Sequence, residues 1–384
     1  MSGKRFVSVI CEYNPFHFGH KFQMECFKKE FDAVVCIQSG DIVQRGTAAI
    51  ASKYLRAEAA IKNGANLVLE LPMPWCCASA RDFARAGVHI ADNIGSAFLG
   101  FGIEDDLEIS LKIQELVSGS NFDQELSFFA EKHKNLSYPA LLTEFVSIRL
   151  GKDFATAVSK PNNILALEYL LAMKGRAMQP FGVKRNFDFS SSSAIRSLEN
   201  PNEILSALPE ESGAVFSREM LKDFPRDGSR LDSFFIGTLR RMNKFCNNSD
   251  FYSVTDDLFN KIFAEAKNSA TTDELVLRCT DKIYTTARVR RAINSIVFGI
   301  TKQRVLAMPT YTTVLAADGI GCEILKSAKK NENFDIITKT ARVSEFRDST
   351  KDSFLFSKGI EDIISLSAPI PLSANQGKSP FIAK

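Results

Sequence analysis

The sequence predicts an α/β protein built on a parallel sheet, followed by a mainly helical second half. Three observations predict it. An apolar run from Phe6 to Cys11 gives way through Asn14-Pro15 to a helical stretch, the strand–turn–helix opening of a parallel sheet. Apolar runs and helical stretches then alternate as far as about residue 200, the rhythm of repeated βα units. Beyond Asn200 to Asn202 that rhythm stops and helical periodicity dominates.

Phe6-Val7-Ser8-Val9-Ile10-Cys11 reads as a buried strand. Pro15 supplies no N–H and pushes Asn14 out of helical space, so the strand ends in a turn. Lys21 to Phe31 reads as a helix and Ala33 to Ile37 as the second strand. Gln38-Ser39-Gly40-Asp41 then falls at a carboxyl strand end, where ligands collect in open α/β sheets. Ile50 to Asn63 is a helix stopped by Gly64, and Leu67 to Leu71 a third strand ended by Pro72. Ala80 to Ile90 is helical. Ala97-Phe98-Leu99 is a strand, followed by Gly100 and Gly102, which form either a simple turn or a place where backbone approaches a base.

Helices are expected over 107–117, 122–132 and 139–150, and from Asn162 to about Lys174 with the Asn162-Asn163 pair as N-cap. Pro180 to Arg185 reads as a late strand. Ser190 to Ser193, with Arg196 one turn on, starts a helix whose hydroxyls and N–H groups suit a phosphate as well as an ordinary cap. Further helices are expected over 204–208, 217–224, 231–245, 258–266, 273–278 and 284–299. Thr312 to Ala316 and Phe334 to Ile337 are short strands around a helix from Gly321 to Lys329. The tail from Ser373 lacks periodicity and is expected to be loosely held.

At 384 residues the chain has room for two domains and a substantial core. With 45% hydrophobic and 24% charged residues it is an ordinary globular composition. No apolar run approaches a membrane span, and the first residues lead straight into a strand rather than a cleavable signal. The eight cysteines contain no C-x-x-C, so neither a zinc site nor a disulfide framework is indicated, and a cytoplasmic location is expected. The net charge of +3 does not by itself announce a polyanionic partner. Positive charge nonetheless gathers in the second half, at Arg240, Arg241 and Lys244 and at Lys282, Arg288, Arg290, Arg291, Lys302 and Arg304. Such a run is either a solvated helix face or a nucleic-acid contact.

The chemistry-bearing stretch is His17-Phe18-Gly19-His20, at the turn after the first strand. Two histidines three apart in a first helical turn share a face and suit charge developing on a phosphate under attack. Gly19 leaves room for a ligand to approach the backbone. The stretch resembles the HIGH signature of nucleotidylyl transferases and class I aminoacyl-tRNA synthetases.

Longer motifs narrow the resemblance. EYNPFHFGH (Glu12 to His20), SGDIVQRG (Ser39 to Gly46), KYLRAEAAIKNGANLVLELP (Lys53 to Pro72), PNNILALEYL (Pro161 to Leu170), SSSAIR (Ser191 to Arg196) and YTTARVRRAI (Tyr284 to Ile293) are together similar to the bacterial tRNA(Met) cytidine acetate ligase family. Two positions differ from the usual family residues: Ala166 stands where glycine is common, and Ile103 where serine is usual.

The resemblance implies a Rossmann-like (HUP-type) nucleotidyltransferase domain over 1–200 and a mainly helical, basic tRNA-binding domain over 201–384. It implies activation of acetate by ATP to acetyl-adenylate, then transfer of acetyl to N4 of the wobble cytidine (C34) of elongator tRNA(Met). Carried over residue by residue, the ATP site is the loop Val9, Ile10, Cys11, Glu12, Tyr13, Asn14, Pro15, Phe16, His17, Phe18, Gly19, His20, Lys21 and Phe22. Gly102, one or both of Asn162 and Asn163, Arg185 and Arg196 complete it. His17 and His20 are the expected catalytic donors, and Lys282, Arg288, Arg290 and Arg291 the expected tRNA contacts. Mg²⁺ is expected with ATP, although no carboxylate cluster reads as a metal cage. The alternative is a small-molecule nucleotidylyl transferase. The long, basic helical half would be idle in such an enzyme.

Overall fold

The computed structural model describes residues 5–133, 136–242, 250–370 and 380–383. Lys244 and Cys246 lie outside them. Eight strands form one sheet: β1 (Phe6–Cys11), β2 (Ala33–Ser39), β3 (Leu67–Leu71), β4 (Phe98–Ile103), β5 (Gln179–Lys184), β6 (Tyr311–Ala317), β7 (Asp335–Ile337) and β8 (Phe381–Ile382). Their order is β5-β4-β1-β2-β3-β6-β7, with β8 pairing β6.

β1 to β5 are all parallel. The chain winds outward from β1 through β2 to β3, then returns to the other side of β1 with β4 and β5. That reversal opens a crevice at the carboxyl ends of β1 and β4. β2 (AVVCIQS) and β3 (LVLEL) are buried along their whole length, as central parallel strands must be with helices on both faces. Alternate residues feed two cores. Val35, Ile37, Leu67 and Leu69 join one, while Val34, Cys36 and Val68 join the other.

The second half of the chain is built onto this frame. β6 lies antiparallel to β3, and Phe235, Leu258, Ile262, Val289 and Ile293 share one hydrophobic cluster with the β2 and β3 side chains. The tail differs from its expectation at Phe381 and Ile382, which pair with Ala316 and Ala317.

Two local expectations are corrected. Gly100 and Gly102 lie within β4, not after it. A Cβ on Gly100 would fall 2.5 Å from the Phe27 ring, so that glycine lets the helix Phe18–Glu30 pack close on the sheet. The helix Pro161–Met173 is preceded by Lys160, not capped by an asparagine. Asn162 and Asn163 sit inside its first turn and bond sideways to Glu104 and Asp105. Ala166 and Ile103 are both core residues.

Candidate active site

The site begins where β1 ends. Tyr13 adopts φ 45°, a left-handed conformation costing a non-glycine residue about 1–2 kcal/mol. Its ring, packed edge-on to Phe16 and His20 at 4.8 and 4.9 Å, offsets that cost. Asn14 pins the turn: its Oδ1 accepts the Ile50 N–H at 2.7 Å, and its carbonyl accepts from Arg196 Nη1 at 2.6 Å. Arg56, fully buried, donates to the carbonyls of Glu12 (2.5 Å), Ser39 (3.1 Å) and Gly40 (2.5 Å). One guanidinium thus ties the carboxyl ends of β1 and β2 together.

His17 is the N-cap of the helix Phe18–Glu30, which therefore starts earlier than its apolar period indicates. Its Nδ1 accepts the Gly19 N–H at 3.1 Å, so the ring proton sits on Nε2, which donates to Ser192 Oγ at 2.9 Å. His20 completes a capping box, its Nδ1 accepting the His17 N–H at 3.3 Å. The two rings stack at 3.8 Å. Burial, then the charges of Arg185 and Arg196, lower the His17 pKa to about 4. Burial, then His17 and Arg185, hold His20 well below the usual histidine range. Both imidazoles are neutral at physiological pH.

A cleft of about 570 Å³ opens over this turn. Arg45 stands at its rim on the turn after β2, Arg291 comes from the helix Thr286–Phe298, and Lys184, Arg185 and Arg196 come from the β5 side. Among the described residues Glu12 is the lone carboxylate in the lining, and one of its oxygens is taken by the Gln44 N–H at 2.9 Å. Five cations facing one carboxylate make an anion site. Two buried donors in the lining, Asn14 Nδ2 and Arg291 Nε, have no partner among the described residues. Apolar side chains, among them Ile10, Phe83, Phe101 and Tyr169, line the cleft too, as a nucleoside or acyl group requires.

Of the sequence-predicted residues, Val9, Ile10, Cys11, Glu12, Tyr13, Asn14, His17, Gly19, His20, Phe22, Gly102, Asn162, Arg185 and Arg196 line this cleft. Pro15 and Phe16 are buried behind it. Phe18 is exposed against Phe189, and Lys21 is turned to Glu211 at 3.1 Å. Asn163 is buried, with its amide shared among Glu104 N–H, Asp105 and the Ala157 carbonyl. His20, expected as a second phosphate donor, lies in the lining of the cleft, with its Nδ1 accepting the His17 N–H.

The basic cluster divides. Arg290 pairs with Asp273 at 2.8 Å, Arg288 lies over the Tyr284 ring, and Lys282 is exposed. Arg291, expected on a docking face away from the nucleotide, turns instead into the cleft and donates to the Gln44 carbonyl at 3.3 Å. Val43, Gln44, Arg45, Thr47, Phe83 and Phe189 also line the cleft, and sequence reasoning assigned none of them to the site. The SGDIVQRG motif was the available signal for the first three, and Thr47 follows directly on it.

Residues 4–376 match the family model of the HIGH nucleotidyl transferases. The tRNA(Met) cytidine acetate ligase of Fervidobacterium nodosum is 31% identical over 360 residues, covering 87% of this chain and 84% of that protein. That of Streptococcus sanguinis is 32% identical, covering 84% and 86%. In fold, the chain matches the crystal structure of Thermotoga maritima TmcAL bound with alpha-thio ATP. The TM-score is 0.90 at 24% identity, over 98% of this chain and 99% of that one. The chain belongs to the HIGH nucleotidyl transferases and, among them, to the family of the tRNA(Met) cytidine acetate ligases. Its chemistry is that of an ATP-using ligase, resting on nucleotidylyl transfer.

Proposed function

We propose that this protein activates acetate with ATP and transfers the acetyl group to N4 of the wobble cytidine (C34) of elongator tRNA(Met). An acetate oxygen attacks the α-phosphorus, the P–O bond to pyrophosphate breaks, and acetyl-adenylate forms. The N4 amine of the cytidine then attacks the acetyl carbonyl, AMP leaves with the bond electrons, and the amine loses a proton.

The observation that carries this reading is the basic cleft at the switch point of the sheet, in a chain whose relatives are ligases of this name. Acetate is a weak nucleophile, so the first step depends on positioning and on stabilising phosphate charge. His17 carries a neutral Nε2–H, held by Ser192 Oγ, that a phosphate oxygen would take over at the helix start, where the helix dipole also favours an anion. Arg185 and Arg196 add charge, and the unpartnered Asn14 amide supplies a further donor. Among the described residues no three acidic, histidine or cysteine groups gather to hold a metal. Mg²⁺ arriving with ATP would offset the charge of its phosphates.

The test is ATP, labelled acetate and total tRNA, followed by nucleoside analysis. Labelled N4-acetylcytidine at C34 of elongator tRNA(Met) is the expected product. Label appearing only in a small-molecule adenylate conjugate would favour the smaller transferase chemistry instead.

A further inference from the structure

The turn Val43–Thr47 is closed by its own backbone, with Val43 N–H donating to the Thr47 carbonyl at 3.0 Å and Gly46 N–H to the Val43 carbonyl at 2.8 Å. Gly46 has φ 82°, and a Cβ there would fall 3.0 Å from Arg290 Cβ. Both halves of the chain grip this turn. Glu12 accepts from Gln44 N–H on one side. On the other, Asn294 donates to the Gly46 carbonyl at 2.9 Å and Arg291 to the Gln44 carbonyl at 3.3 Å. The backbone of Arg45 is thereby fixed, while its exposed guanidinium makes no hydrogen bond or ion pair with any described residue.

Arg45 does not stand alone. It lines one cleft with Arg196 and Arg291; its charge disfavours that of Arg196, and the charge of Arg288 disfavours that of Arg291. Positive charge therefore runs from Arg288 on the helix Thr286–Phe298, through Arg291 and Arg45 at the rim, to Arg196 and Arg185 in the cleft beside the neutral His17. One nucleoside triphosphate can satisfy the inner end, Arg185, Arg196 and His17. The outer end continues along the protein surface and calls for a chain of phosphates.

We propose that Arg45 and Arg291, on the two sides of the gripped turn, form a phosphate station for the RNA nucleotide being acylated. The polynucleotide backbone is held on the rim while the base enters the cleft beside His17. This rests on the reading above that the acyl acceptor is an RNA. Phosphate contacts set register, and an enzyme acting on a base must draw it away from its neighbours. A station at the rim does both.

The test is Arg45→Ala in the full chain, with thermal melting to check folding. Acetate-dependent ATP–pyrophosphate exchange should fall far less than acetyl transfer does. The kcat/KM of acetyl transfer for tRNA should fall by at least about tenfold. The slope of log affinity for tRNA against log salt should flatten by a little under one, and Arg45→Lys should recover part of the transfer, because a point charge still meets the phosphate. Exchange lost in parallel with transfer would assign Arg45 to ATP and overturn the proposal. Transfer and salt slope equal to the parent's would make it a solvated charge and also overturn it. If the parent forms the adenylate but acetylates no tRNA, the RNA reading itself fails and takes this proposal with it.

Discussion

His17 does two jobs with its two nitrogens: Nδ1 caps a helix, and Nε2 bonds Ser192 Oγ in the lining of the cleft. The jobs separate in His17→Asn. Asparagine is among the best N-caps, so stability at pH 8 should stay within about 1 kcal/mol of the parent. Acetate-dependent pyrophosphate exchange should fall about 10²–10³-fold, the usual loss for one preorganised donor. Normal exchange in a folded variant would remove His17 from the chemistry. The lowered pKa also has a sign. His17 titrates at about 4 when folded against 6.5 when unfolded, so the unfolded chain binds the extra proton. Its contribution is fully present above about pH 6.5 and is lost as pH falls toward 4, on the order of 3 kcal/mol. Urea midpoints followed over that range should fall less steeply in His17→Asn than in the parent.

Elements decide which cations can meet a partner. The helix Thr286–Phe298 presents Val289, Ile293 and Ile296 to the core, Arg291 to the cleft and Arg290 to Asp273. Lys282 and Arg288 remain as the outward cations of that group. The double substitution Lys282→Ala, Arg288→Ala should weaken tRNA binding and flatten its salt slope by somewhat under two, with pyrophosphate exchange unchanged. Filter binding across a salt series measures it, and a parent-like slope would show this face to be merely solvated. Spacing alone put Arg288 and Arg291 together, one turn apart. It could not show that the Gln44 carbonyl draws Arg291 inward, because that partner lies 247 residues away.

The whole molecule is tied by a buried charge cluster. Lys53 Nζ lies 2.6 Å from both Glu70 and Glu361, and Ser357 donates to Glu361 at 3.2 Å. Burial raises the Glu70 carboxyl well above its usual range, against the opposing pull of Lys53. The cluster joins β3 to the helices Lys53–Lys62 and Asp348–Ile364. Lys53→Met should cost about 3–5 kcal/mol, because it leaves the buried acidic pair Glu70 and Glu361 without its cation. The triple variant Lys53→Met, Glu70→Gln, Glu361→Gln should recover much of that loss. Urea unfolding tests both, and a cost below about 1 kcal/mol for Lys53→Met would show the cluster to be dispensable.

By itself the sequence determined the first five strands, the helices between them except Lys152–Ser159, and the turn that carries His17. Those are written in local period, in the prolines and glycines that break it, and in motifs whose residues are close neighbours along the chain. The glycines of β4 misled, since their reason is the Phe27 ring packed above them. The asparagines of the helix Pro161–Met173 misled likewise, since Glu104 and Asp105 claim them. Only the tertiary structure decided that β6 completes the sheet antiparallel to β3, that one core serves both halves of the chain, and that Arg291 meets the Gln44–Gly46 turn. Each of these depends on which distant surface covers a side chain or pairs with an edge, and no local spacing encodes that.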